Sequence, residues 1–273
     1  MSTAALQSER WRVAPGSPVS LDALSPDSTS GAPGDRDTTA SVVPVLQDRL
    51  RDLQERLWAE GRRALLVVLQ GVDAAGKDGT IKHVFTGMNP QGTRVTSFKE
   101  PTSEELAHDF LWRVHRHVPR SGEIGIFNRS HYEDVIVVRV DGLVTREVWS
   151  ARYEHINAFE RLLSDGGTTI VKVFLHISYE EQGRRLQERL VRPDKRWKIN
   201  RADIVERSHW SAYRAAYTDV LERTSTDTAP WYVVPADHKW FRNWAVSRIL
   251  VDVLTSMNPR YPESSPMDGV TIT

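Results

Sequence analysis

The chain has 273 residues, 36 basic and 36 acidic side chains, a formal net charge of zero, 40 % hydrophobic residues and no cysteine. This describes one globular domain able to bury a full core, and it excludes disulfides, thiol nucleophiles and thiolate metal sites. The nine histidines form no HExxH-type pair, so zinc chemistry is not expected, and zero net charge argues against a nucleic-acid protein.

Met1 to Arg12 carries Glu9 and no apolar signal-peptide core. No run approaches the roughly 18 apolar residues of a membrane span, so a cytoplasmic protein without a membrane partner is the expectation. Residues 14–44 hold Pro15, Pro18, Pro26, Pro33 and Pro44 among Gly, Ser, Thr and Asp, which predicts an extended arm over residues 1–44. From Val45, the spacing of Leu46, Leu50, Leu53 and Leu57 predicts a lead-in helix closed by Gly61. Ala64 to Gln70 is continuously apolar up to its final Gln and reads as a buried strand, followed by a Gly-rich turn and a polar helical start at Thr80. Further buried strands are expected at Arg94 to Phe98, Ile124 to Phe127, Thr169 to Ile177 and Trp231 to Val234. Long helix-compatible stretches such as Ser103 to His117 and Arg146 to Ser164 separate them. That alternation implies an α/β fold with a parallel sheet of about five strands covered on both faces. The domain is placed at residues 45–257, and residues 258–273, with three prolines, are read as a tail.

Gly71-Val-Asp-Ala-Ala-Gly76-Lys77 has the spacing of a phosphate-binding loop. Small residues let successive backbone N–H groups curl around an anion, which assigns Ala74, Ala75, Gly76, Lys77, Asp78, Gly79 and Thr80 to phosphate binding. Lys77 adds a charge at the distal phosphates. Asp78 replaces the Ser or Thr that ordinarily ligates Mg²⁺, so the metal is expected elsewhere, with Asp73 the nearest carboxylate and Thr80 a helper. As a purely structural feature, a Gly-Lys turn is also a tight strand-to-helix connection.

The third strand ends in Asn128-Arg129-Ser130-His131-Tyr132-Glu133-Asp134, at the carboxyl edge where open α/β sheets bind ligands. Asn128 is neutral where a metal-holding carboxylate is usual, so charge compensation shifts to Asp73, Glu133 or Asp134. Asn128 and Glu133 remain candidates beside Asp73 at the metal. Arg129 offers a permanent two-pronged fork to phosphate. His131 and Tyr132 read as packing or hydrogen-bonding residues, with His131 kept as a candidate on the nucleotide side together with Lys99, Asn128 and Glu133.

Arg184 to Lys198 contains seven cations, broken midway by Pro193. A charge run is often only a solvated face, but here it reads as a helical lid over about 184–200, with Arg192, Lys195, Arg196 and Lys198 facing polyanionic phosphate and excluding water. Trp197 is read as its packing anchor. Thr102-Ser-Glu-Glu105 is a capping-box pattern, which puts Lys99 just ahead of a helix. Asp237 and Lys239 follow the last strand at the same sheet edge, and Trp231 and Tyr232 fit the core.

The chain resembles the family-2 polyphosphate kinases through Gly71-Val-Asp-Ala-Ala-Gly-Lys-Asp-Gly-Thr80, Asn89-Pro-Gln-Gly92, Asn128-Arg-Ser-His-Tyr132, Arg196-Trp-Lys198 and Ala229-Pro-Trp-Tyr-Val-Val234. The likeness runs from about Trp11 to Leu254. The resemblance implies a three-layer P-loop kinase fold with a lid, and Mg²⁺-dependent (or Mn²⁺-dependent) transfer of phosphoryl groups between inorganic polyphosphate and AMP, ADP or ATP. Guanine nucleotides are further candidate acceptors. By that pattern Asp73 and Lys77 match the catalytic pair of the loop, Arg129 the arginine of the second motif, and Arg196 and Lys198 lid cations. Asn128 and Glu133 resemble the subgroup that accepts both AMP and ADP, whereas Val191 and Arg192 stand where relatives often carry acidic residues. A homodimer or homotetramer built on the lead-in helices is implied too. An ATP-dependent kinase for a small molecule or nucleotide, and a non-catalytic nucleotide- or polyphosphate-binding protein, are the alternatives.

Overall fold

The computed structural model describes residues 6–263. Five parallel strands form one sheet in the order β2-β3-β1-β4-β5. They are β1 (Ala64–Gln70), β2 (Thr93–Ser97), β3 (Ile124–Asn128), β4 (Thr168–His176) and β5 (Trp231–Pro235). The apolar β1 lies at the centre, with Val67 registered on Ile126 of β3 and Val171 of β4. Alternation along β1 sends Leu65, Val67 and Leu69 to one face and Leu66 and Val68 to the other. The first face is covered by α1 (Arg36–Glu60), α2 (Lys77–Val84) and α10 (Lys239–Met257), the second by α5 (Glu133–Val140), α6 (Arg146–Asp165) and α9 (Trp210–Thr224). This is the three-layer arrangement expected for strands that alternate with helices.

Several boundaries differ from the sequence reading. α1 begins at Arg36, nine residues before Val45, because Asp35 caps it by accepting the Thr38 N–H at 2.9 Å. Pro44 lies inside that helix and costs it one intrahelical bond. Val42, Val43 and Leu46 pack against the core and offset that loss. The described part of the arm before α1 packs on the domain: Trp11 and Val13 are buried, and Arg12 pairs antiparallel with Tyr232, so this segment covers the edge of β5. β2 is the uncovered edge and is only half-buried, unlike the buried strand that was expected. Residues 103–117 form two short helices, α3 (Ser103–Leu106) and α4 (Trp112–His115), rather than one, and the capping box at Thr102 and Glu105 is present. The tail from Asn258 falls largely outside the described residues.

The remaining helices build the lid. α7 (Tyr179–Val191) leaves the end of β4, a 3-10 turn at Arg196–Lys198 forms the tip, and α8 (Arg201–Ser208) returns. Pro193 lies between α7 and the tip, as the break in the charge run predicted.

Candidate active site

The carboxyl ends of β1, β2 and β3 converge on a cleft of about 980 Å³ beneath the lid. Its floor is the loop between β1 and α2. Gly71, Ala74 and Gly76 all have positive φ, which curls the chain so that the first-turn N–H groups of α2 are available to an anion. A Cβ at Gly76 would also meet the Arg242 guanidinium, which would have to shift. The loop carbonyls are held from behind by α7. Arg185 donates to Ala74 and Ala75 at 3.0 and 2.9 Å and also to Ala236 and Asp237, and Gln182 donates to the Asp73 carbonyl at 3.1 Å. Thr80 is fully buried, and its hydroxyl donates to the Gly76 carbonyl and braces the loop.

Lys77 is nearly buried, and its ammonium donates to the Gly71 and Val72 carbonyls at 2.6 and 3.3 Å. Burial and the neighbouring Arg129 lower its pKa, so an incoming phosphate would relieve an unfavourable charge. Arg129 has φ of +62° and bridges two acids, with Nη2 2.6 Å from Asp73 and Nη1 3.3 Å from Glu133. Burial raises the Asp73 carboxyl, but the charges of Lys77 and Arg129 outweigh it and hold it well below the usual carboxylate range. Asn128 donates to Asp78 at 2.9 Å, and Asp78 also receives Lys198 from the lid tip at 3.2 Å.

The structure therefore brings Asp73, Ala74, Gly76, Lys77, Asp78, Gly79, Lys99, Asn128, Arg129, Lys195 and Lys198 to one cleft. Other assignments need correction. His131 is fully buried against Glu160, 3.2 Å away, and is not on the nucleotide side. Glu133 is ion-paired to Arg129 and does not line the cleft, whereas Asn128 lines it and donates to Asp78. Arg192 pairs with Asp194 and Glu188, and Arg192 and Arg196 are exposed and do not line the cleft. Trp197 is 78 % exposed and is therefore not the lid's packing anchor.

Cleft residues that escaped the sequence reading include Arg185, Arg189, Asp203, Glu206 and Arg242. Arg185 and Arg189 belonged to the charge run, and their four-residue spacing on a helix would have singled them out as one face. Asp203 and Glu206 descend from α8 to meet Asp73. Burial and the Asp73 carboxylate push Glu206 up to about 8. Arg242 is 2 % exposed with no acidic partner among the described residues, and burial followed by Arg185 lowers its pKa to about 9. A buried cation without a counter-ion is a site for an anion.

Comparison with known proteins agrees with this geometry. The family model described as Polyphosphate kinase 2 matches residues 34–262. The chain belongs to the polyphosphate kinase 2 family. A relative from Meiothermus ruber named AMP/ADP-polyphosphate phosphotransferase is 54 % identical over 93 % of this chain and 96 % of its own. An ADP-polyphosphate phosphotransferase from Rhodopseudomonas palustris is 46 % identical over 80 % of each chain. The crystal structure of polyphosphate kinase 2 from Arthrobacter aurescens TC1 superposes with a TM-score of 0.91 at 44 % identity, covering 97 % of this chain and 94 % of that one. The polyphosphate kinase 2 likeness thus extends over the sheet, the phosphate loop and the lid together.

Proposed function

We propose that this protein transfers phosphoryl groups between inorganic polyphosphate and nucleotides, phosphorylating AMP and ADP toward ATP. The carrying observation is the cation track of the cleft. Beyond Lys77 and Arg129, the lining includes Arg185, Arg189, Lys195, Lys198, Lys239 and Arg242. A nucleotide triphosphate needs few of these charges, whereas a long polyanion is followed by all of them. The names of the relatives support the same substrates, which disfavours an ATP-dependent small-molecule kinase or a non-catalytic binder.

The chemistry asks for alignment and charge neutralisation. An AMP or ADP phosphate oxygen is already anionic at neutral pH, so no general base is needed. The α2 N-terminus, Lys77 and Arg129 hold the donor phosphates, the lid cations neutralise the chain beyond them, and lid closure excludes water as a competing acceptor. Arg129, braced by Asp73 and Glu133, keeps its guanidinium fork at one orientation while charge shifts between bridging oxygens.

Mg²⁺ is part of this reading. No cage of three or more acidic or His side chains is arranged among the described residues. A phosphate-bound Mg²⁺ is held by one or two carboxylates together with phosphate oxygens and water, a donor set that Asp73 fits, with Asp203 and Glu206 beside it. Held by Asp73, the ion would offset the negative charge of the phosphates. Guanine nucleotides as acceptors, a cytoplasmic location and a homodimer or homotetramer built on α1 complete the proposal.

Purified protein incubated with Mg²⁺, long-chain polyphosphate and AMP, ADP or GMP in turn tests the reading, with products followed by chromatography and ATP as the control donor. Conversion of AMP to ADP and ATP from polyphosphate is expected. Phosphorylation from ATP alone would overturn it.

A further inference from the structure

We infer that Trp197 is the stacking platform for the acceptor nucleobase, an inference that rests on the nucleotide-acceptor reading of the cleft. A tryptophan 78 % exposed is costly to leave in water, yet Trp197 lines the cleft at the lid tip. Its indole is held in place: Nε1 donates to the Asp194 carbonyl at 3.1 Å, and the ring belongs to the 3-10 turn Arg196–Lys198. The Lys198 ammonium lies 5.0 Å from the ring centroid and 3.2 Å from Asp78, so one side chain ties the indole to the mouth of the phosphate loop.

The other aromatic side chains lining the cleft do not offer this. Phe98 is buried edge-on against Phe127, and His83 sits on α2 outside the lid. The cations along the inner cleft select phosphate. Trp197 supplies a flat π-face where a nucleotide anchored by its phosphate would present its base. Stacking reads no hydrogen-bonding edge, so this platform accepts adenine and guanine alike and the cleft discriminates between them weakly.

The test is binding of AMP, GMP and ribose 5-phosphate to the full chain and to Trp197→Phe and Trp197→Ala, by isothermal titration calorimetry. The residue lies on the surface, so both variants fold. Trp197→Ala is expected to weaken AMP and GMP by about 5- to 100-fold, to leave ribose 5-phosphate unchanged, and to raise KM for the nucleotide without changing KM for polyphosphate. Trp197→Phe is expected to keep most of the affinity. Unchanged AMP affinity in Trp197→Ala, or equal losses for AMP and ribose 5-phosphate, would overturn the platform. A change in sedimentation mass with AMP binding intact would assign the indole to contact between copies and overturn it as well. Wild-type protein that binds neither AMP nor GMP would instead overturn the nucleotide-acceptor reading beneath it.

Discussion

Arg129 Nη2 donates to Asp73 Oδ1 at 2.6 Å, and this bond joins the loop after β1 to the end of β3. The arginine reaches Glu133 with its other terminal nitrogen, so its planar fork spans two carboxylates that a lysine could not bridge together. Arg129→Lys is expected to keep the charge but lower kcat on the order of 10²-fold, and Lys77→Ala on the order of 10²- to 10³-fold. Steady-state rates with polyphosphate and AMP check both. Near-normal turnover of Lys77→Ala would contradict the site assignment.

The close approach of Gly76 and Arg242 sets a second expectation. Gly76→Ala places a Cβ against Arg242 at a φ of +109° and should cost about 1–3 kcal/mol of stability together with phosphate affinity. Gly79→Ala is the control, because its Cβ would lie 3.2 Å from the Arg242 guanidinium with no positive φ to strain it, within a helix that favours Ala over Gly. Thermal melts and polyphosphate titrations of the two variants should therefore separate clearly.

Lid cations act through long-range charge. Lys195 and Lys198 are paired with Glu188 and Asp78 at 2.6 and 3.2 Å, contacts that a polyanion can replace. The double variant Lys195→Ala/Lys198→Ala is expected to raise KM for polyphosphate several-fold and to flatten its dependence on salt, since screening acts within about 8 Å at physiological ionic strength. Initial rates from 20 to 300 mM salt (about this range spans the change) provide the measurement.

His176, at the end of β4 just before the lid, donates to the Leu24 carbonyl of the arm at 2.8 Å. Burial lowers its pKa below the ordinary 6.5, opposed by the Leu24 bond and by Asp237 and reinforced by Arg214. The folded state thus disfavours the charged ring. Its stability contribution is complete above about pH 6.5 and is lost as the pH falls through the lower folded value. His176→Gln keeps a donor without titrating, so melting temperatures of the variant should fall less than those of the wild type between pH 7.5 and 5 (a window of about two units around the ordinary value).

Behind the second motif, Lys172 donates to Glu160 at 2.5 Å, to Tyr132 at 2.9 Å and to the Thr224 carbonyl at 2.6 Å, all in the core. Lys172→Met alone leaves a buried carboxylate without its partner and should cost about 3–5 kcal/mol. Adding Glu160→Gln removes that charge and should recover much of the loss, as denaturant titration of the single and double variants would show.

The local features of this protein were legible in its residues. An uninterrupted apolar β1, the Gly71–Lys77 spacing and the charge run broken by Pro193 each depend on neighbours in the chain, and the sheet, the phosphate loop and the lid follow from them. Side-chain partnership was not legible, because it is set by elements distant in sequence. His131 reads as a polar residue beside a site until β4 and α6 bring Lys172 and Glu160 behind it. Arg192 and Arg196 read like Arg185 and Arg189 until the turn of α7 and the lid tip separates those that face the cleft from those that face solvent. Asp203 and Glu206 carry no motif, and only the return of α8 over the loop places them at Asp73. Periodicity and loop chemistry are short-range properties of the chain, whereas burial and charge pairing exist only once the sheet has brought remote segments together.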